Sequence, residues 1–492
     1  MTVRYFIAVM ISLCLLRSVA AADFSAKIDP QVRARFGKAE SVRVTILCRT
    51  QLLEPPDGFG RFCADHESRG RTELRAAVIT RLKAIAENGE QDAVLKAADR
   101  ANAERHWIVN AVTVQLPRRT IEKIAALDEV KYVYRGFAGL PPKRSGRLSE
   151  AVVPAEREPF SVKGRNVPWN LEAIGAPRVW ARKKNAGEGV VVAMLEGGVD
   201  YTHPDLRRNL WTNPGETPGN GIDDDGNGLV DDYYGYNFRT GSCEVGALTA
   251  KHHHGTVTSG IVAGDGSGGT ITGVAPRARL MLLAGAGVYA YQYALEHGAD
   301  VLSMSFSIPG LGDGRGLWRL MSEHAVCAGL VLVSGCGNFQ QSAEIPEQIR
   351  IPEGIPCVIG AGGVDRSLKV PGFCSLGPVE WGTVKFYGDH PLPEGLIKPD
   401  VCAFPGPGYP QLGPAGEDYG SQRRGNSFSG PHIAGVAALM LSAAPELQAW
   451  RIQELMEATA KDTGPAGKDC RTGAGLIDAW AAVSAAEAAA KE

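Results

Sequence analysis

The sequence predicts an α/β fold, a three-layer sandwich around a mostly parallel sheet, preceded by a small α+β domain. Two observations carry this. From about residue 169 onward, unbroken apolar runs at 190–195, 280–283, 301–306, 330–334 and 358–360 alternate with helical patterns. A strand that is apolar on both sides is covered on both faces, as in a parallel sheet held between helix layers. Ahead of these runs, residues 23–138 carry patterns of their own. SVRVTILC at 41–48 alternates like a half-buried strand, and 71–99 has the charge and alanine of surface helices. WIVNAVTVQL at 107–116 leads into a short helix and a further strand at 130–134.

Taken in order, residues 1–22 hold Arg4, an apolar stretch over 6–16 and Ala20-Ala21-Ala22, the three regions of a secretory signal. The apolar run is shorter than the roughly 18 residues a spanning helix needs. The expected location is therefore secreted or periplasmic, with no membrane span. Residues 139–168 turn to Pro, Gly, Arg, Ser and Glu, a composition that stays solvated and reads as a linker. The second domain fills 169–485, and 486–492 is a short Ala/Glu/Lys tail. The net charge of -2 over 492 residues offers no basic surface for nucleic acid or anionic membrane. Ten cysteines show no zinc-type spacing and read as small buried hydrophobes with one or two bridges.

Three stretches supply, in order, an acid, a base and a nucleophile: Glu196-Gly197-Gly198, His254-Gly255-Thr256, and 425–435 around Ser427. A serine attacks a carbonyl only if a base takes its proton, and the base works well only if a carboxylate orients it. Acid, His, Ser is the order of the subtilisin-like serine proteases, and the chain resembles that family over 107–483. The resemblance implies peptide-bond hydrolysis through an acyl-enzyme. Ser427 attacks, His254 moves the proton, Glu196 orients His254, and Asn338, in Ser334-Gly335-Cys336-Gly337-Asn338, stabilises the oxyanion. It also implies that 301–307 pairs with substrate as an added strand. Ser305, Phe306 and Ser307 then form one wall of the specificity pocket, with Gly285 and Gly287 on the opposite rim.

The chain departs from the family at the acid, which is usually Asp. A glutamate reaches one methylene farther, so activity depends on local adjustment of the backbone. Without it the protein is a pseudoprotease, a peptide-binding or scaffold protein using the same cleft. Asn426 and Phe428 replace the usual Thr and Met beside the serine, and Ser307 stands where glycine is common. His252 and His253 read as loop residues.

WIVNAV at 107–112, the helix after it and EVKYV at 129–133 resemble the second half of the family's propeptide, which implies that residues 23–138 are an inhibitor and folding chaperone whose end lies in the cleft of its own peptidase domain, the alternative being an independent adhesive or binding module. A zymogen matured by a cut within 136–165 follows, and a monomer is expected. The run from Asp223 to Asp231 places Asp223, Asp225, Asn227 and Asp231 at loop positions 1, 3, 5 and 9 of an EF-hand-like calcium loop, with Tyr234 where the bidentate glutamate belongs. Asp205, in His203-Pro204-Asp205-Leu206, matches a family position that ligates calcium. A structural Ca2+ is expected, the alternative being an acidic solvated turn.

Overall fold

The computed structural model describes residues 24–99, 103–137, 160–246, 253–285, 287–413 and 419–491. The signal expected at 1–22 and most of the expected linker lie outside the described residues. After two short helical turns at Phe24–Lys27 and Pro30–Arg33, the chain runs through β1 (Val42–Cys48), α1 (Gly58–Asp65), α2 (Arg71–Ala86), α3 (Glu90–Ala98), β2 (Glu104–His106), β3 (Ala111–Leu116), α4 (Arg118–Ala125) and β4 (Val130–Arg135). It continues with α5 (Ala176–Lys183), β5 (Val191–Glu196), β6 (Gly235–Asn237), α6 (His254–Ala263), β7 (Arg279–Ala284), α7 (Val288–Glu296), β8 (Val301–Met304) and α8 (Gly314–Cys327). Then come β9 (Val331–Gly335), β10 (Ile359–Gly363), β11 (Val401–Ala403), α9 (Asn426–Ala443), α10 (Ala449–Thr459) and α11 (Ala479–Ala489). These elements form two units. The smaller comprises the described residues up to Gln51 with Ala84–Phe137, and the larger comprises Leu52–Lys83 with the described residues after Phe137.

In the smaller unit the four strands form an antiparallel sheet in the order β2-β3-β1-β4. Val44 pairs with Val114 and Ile46 with Val112. Strand side chains alternate between faces, so these four residues share one face and form a core with Val94 of α3 and Ile121 and Ile124 of α4. With α3 as the first crossover, the unit is a βαββαβ arrangement into which Leu52–Lys83 is inserted in sequence.

In the larger unit seven strands lie parallel in the order β11-β10-β9-β8-β5-β7-β6. β5 has β7 on one side and β8 on the other, so the chain reverses its direction across the sheet at β5. Ligands of open parallel sheets bind at such a switch point, beyond the carboxyl ends of the strands. α9 is apolar around its circumference and nearly all buried, as a central helix must be.

Five of the strands coincide with the apolar runs in the sequence. β6 and β11 have three residues each, too few to show a period, and the pattern misses both. The 486–492 tail also differs from expectation, because α11 continues to Ala489. The Asp478 side chain accepts from the Ala481 N–H to cap it, and Ala482, Val483 and Ala486 are buried along one side. The nine cysteines among the described residues are all free thiols, seven of them buried, so they serve as small hydrophobes without the expected bridges. Among the described residues no helix is long and apolar enough to cross a membrane.

Candidate active site

The switch point brings the three motifs together. Glu196 ends β5, His254 opens α6, and Ser427 is the second residue of α9. Glu196 is 9 % exposed, and its Oε2 lies 2.9 Å from His254 Nδ1 while Oε1 accepts from the Thr258 hydroxyl at 2.9 Å. Thr258 was not singled out from the sequence. Helical geometry offered the signal, since a residue four positions after His254 lies on the same side of α6. Both carboxylate oxygens are thus fixed, one on the ring and one on the helix that carries it. The close approach requires Gly255, because a Cβ there would fall 2.3 Å from the Gly198 carbonyl oxygen and 3.0 Å from Glu196 Cβ.

A carboxylate at Nδ1 holds the ring proton on that nitrogen and leaves Nε2 as the acceptor. Burial of the ring acts to lower the His254 pKa. The hydrogen bond and charge of Glu196 outweigh that effect and the Arg423 cation, so His254 titrates above its ordinary value of 6.5. Phe428 packs beside the ring, with centroids 5.5 Å apart. Among the described residues no hydrogen bond joins the Ser427 hydroxyl to His254, and such nucleophile–base contacts are often loose until substrate binds.

Around Ser427 the backbone is set by its neighbours. Pro431 has no N–H, so the Ser427 carbonyl is not taken into the α9 ladder and instead accepts from the Ser305 hydroxyl at 3.1 Å. Asn338 follows β9, and its Oδ1 accepts from the Asn426 N–H at 2.8 Å, which leaves the Nδ2 donors free to face the start of α9. Asn426, in place of the usual Thr, is buried and donates to the Gly337 carbonyl at 2.7 Å. The free N–H groups and partial positive charge of a helix N-terminus favour an anion there.

Two clefts meet at this point. One, of about 160 Å³, is lined by Ser305, Phe306, Ser307, Asn338, Phe339 and Ser427, among others. The other, of about 290 Å³, is lined by Glu196, Arg239, Gly285, Ser305 and Phe306, among others. Gly287 caps α7 and is not among the lining residues. Ser307 donates to the buried Glu353 carboxylate at 2.5 Å, which pins the pocket wall.

The acidic loop forms two carboxylate clusters that share Asp225, one with Glu216 and Asp223 and the other with Asp232 and His297. Glu216 was not expected from the loop pattern. It approaches from outside that loop, and its Oε1 accepts the N–H groups of Asp224 and Asp225 at 2.9 and 3.2 Å. Burial pushes its pKa up to about 7, with Asp232 and Asp225 adding to the effect. Glu216 Oε2 and Asp223 Oδ1 are buried without a hydrogen-bond partner. Asn227 donates to Asp225 and Asp232, at 3.0 Å each. Asp231 stands outside both clusters and accepts from the Gly221 N–H at 2.9 Å. Asp205 is also separate, accepting from the Tyr419 hydroxyl at 2.6 Å.

Comparison with known proteins matches residues 187–475 to the model of the subtilase family of peptidases. Bacillopeptidase F of Bacillus subtilis is 27% identical over 509 residues, covering 95% of this chain and 33% of that protein. Fervidolysin of Fervidobacterium pennivorans is 30% identical over 350 residues, 65% of this chain and 44% of that protein. Subtilisin NAT of Bacillus subtilis subsp. natto is 25% identical over 412 residues, covering 79% of this chain and 92% of that protein. The chain thus spans well under two thirds of the first two of these relatives.

Proposed function

Because the chain belongs to the subtilase family, we propose that it is an exported serine endopeptidase, made as a zymogen, with Glu196, His254 and Ser427 as its catalytic groups. The observation that carries this reading is the 2.9 Å contact of Glu196 with His254 Nδ1, which supplies an oriented base despite the exchanged acid. The Ser427 oxygen attacks the scissile carbonyl as its proton passes to His254 Nε2. The resulting oxyanion accepts from the Ser427 N–H and Asn338 Nδ2. Collapse expels the amine, which takes the proton back from His254, and water repeats the sequence on the acyl-enzyme. Substrate lies along Ser305–Phe306–Ser307 as an added strand, with Gly285 on the opposite rim. The βαββαβ unit acts as the protein's own inhibitor and chaperone. The catalytic unit works as a monomer, secreted or periplasmic.

A fluorophosphonate should add the mass of its phosphonyl group once (the reagent less HF, since the serine oxygen displaces fluoride), on the peptide containing Ser427, in proportion to the loss of peptide hydrolysis. Labelling at another residue, or no labelling, would reject the assignment. The pH profile supplies a second check. The reacting base is neutral His254, so kcat/KM falls as pH drops through its pKa. The acidic limb should therefore have its midpoint above 6.5. A limb centred well below that value would show that Glu196 does not act on the ring.

Calcium belongs to the same reading. Hard oxygen donors and two buried orphaned carboxylate oxygens suit a divalent ion, and Glu216, Asp223 and Asp225 are the residues that would hold it. The ion would neutralise the crowded carboxylates and fix the loop. At a hundredfold excess over Kd, an ion binding only the folded state adds about 2.7 kcal/mol, which corresponds to a rise in Tm of about 5 °C. A chelator should reverse this rise, and Asp225→Ala should lose the response. Wild-type melting indifferent to both calcium and chelator would retire the site.

A further inference from the structure

The inserted segment Leu52–Lys83 makes its contacts within the larger unit, although the sequence on both sides of it builds the smaller one. α1 packs on α8, and Phe62 meets Trp450 edge-on at 6.3 Å between ring centroids. The join to α2 is more specific. Arg71 and Asp300 are each 8 % exposed, and Arg71 Nη1 lies 2.8 Å from Asp300 Oδ1. The same guanidinium donates to the carbonyls of Pro445 at 2.8 Å and Gly329 at 3.2 Å. Thr72 gives both its N–H and its hydroxyl to the Glu446 carboxylate, at 3.0 and 2.7 Å. Gln448 donates to the Glu67 carbonyl at 2.8 Å, and Lys83 pairs with Glu296 at 2.7 Å.

The receiving surface is shaped for this segment. A Cβ on Gly329, whose φ is +77°, would fall 2.8 Å from Arg71 Cγ. The other oxygen of Asp300 accepts from the Val191 N–H at 2.9 Å, at the start of the strand that ends in Glu196. A forked cation satisfied at once by a carboxylate and two carbonyls is a geometry that lysine or a mobile contact does not reproduce.

We propose that Leu52–Lys83 is a docking arm of the peptidase unit, held at the Asp300–Gly329–Glu446 surface, and that it stays docked after the chain is cut within 139–168. The smaller unit is joined to the arm by peptide bonds on both sides. A single cut in the linker therefore leaves the leading segment bound without a covalent link, and its release requires cuts beside the arm. Neither step depends on how the linker is cut or on whether the site is active.

The test places a recognition sequence for a sequence-specific protease between residues 139 and 159 of full-length Ser427→Ala protein. After that cut, the two fragments should co-elute in gel filtration at micromolar concentration. Amides of 58–83 should exchange with deuterium as slowly as before the cut. Arg75, one turn along α2, donates to the Ala328 carbonyl at 3.1 Å on the same surface, and the double variant Arg71→Ala/Arg75→Ala should speed that exchange at least about tenfold, with Arg71→Lys in between, while β5 and α9 stay protected and report an intact fold. Fragments that separate, or fragments that co-elute while 58–83 exchanges freely, would overturn the proposal.

Discussion

Ser427→Ala protein is expected to hydrolyse peptide about a millionfold more slowly than wild type, the loss known for the nucleophile in subtilisin, and to remain uncut in its linker. Removing Oγ abolishes the acyl-enzyme but leaves the start of α9 and the Asn338 amide in place. The residual rate is then that of an oxyanion site acting on water. Because 136–165 is polar between two patterned domains, self-cleavage should fall there. Mass spectrometry under denaturing conditions should then show a product of roughly 330 residues in wild type alone, given a domain that begins near Trp169. Equal processing of the two proteins would assign maturation to another protease. Uncut precursor in both, with no hydrolysis by either, would favour a peptide-binding protein on the same scaffold.

The parts of this molecule legible in the sequence are those with a period or a fixed spacing. The apolar runs that became β5, β7, β8, β9 and β10 are long enough to read, and their carboxyl ends locate Glu196, Ser305 and Asn338. The short β6 and β11 leave no period. The partners that decide the site's geometry come from elsewhere in the chain. Thr258 supports Glu196 across 62 positions, Ser305 reaches the Ser427 carbonyl across 122, and Glu353 backs Ser307 across 46. No local pattern encodes such contacts. The acidic loop shows the same limit, because its spacing gives no sign of Glu216, Asp232 and His297, which cluster with Asp223 and Asp225. The arm was hidden for a related reason. Its helical pattern at 71–86 is plain, but nothing in a helix's own sequence states which unit it will pack upon.

Glu196→Gln should cost about 10⁴ in kcat with little change in KM, because an amide at Nδ1 stabilises the wrong tautomer and cannot support the imidazolium. The acidic limb of the pH profile should move down as well, since the contact that raises the His254 pKa is lost. Glu196→Asp is the more telling variant. The carboxylate now spans His254 Nδ1 and the Thr258 hydroxyl, at 2.9 Å each. Shortening the side chain by one methylene withdraws it by about 1.5 Å, so it keeps at most one of the two partners. Turnover should therefore fall at least about tenfold. Thr258→Val, which removes one partner and keeps the other, should produce a smaller loss in kcat, with the pH limb shifted in the direction that Glu196→Gln shifts it. If the glutamate were a decayed aspartate in an otherwise ordinary site, the order would invert, with Glu196→Asp gaining activity over a wild type no better than Ser427→Ala. That inversion, in one peptide-hydrolysis assay of the five proteins, would show that the close packing of Gly255 on Glu196 is not an adjustment that keeps the triad working.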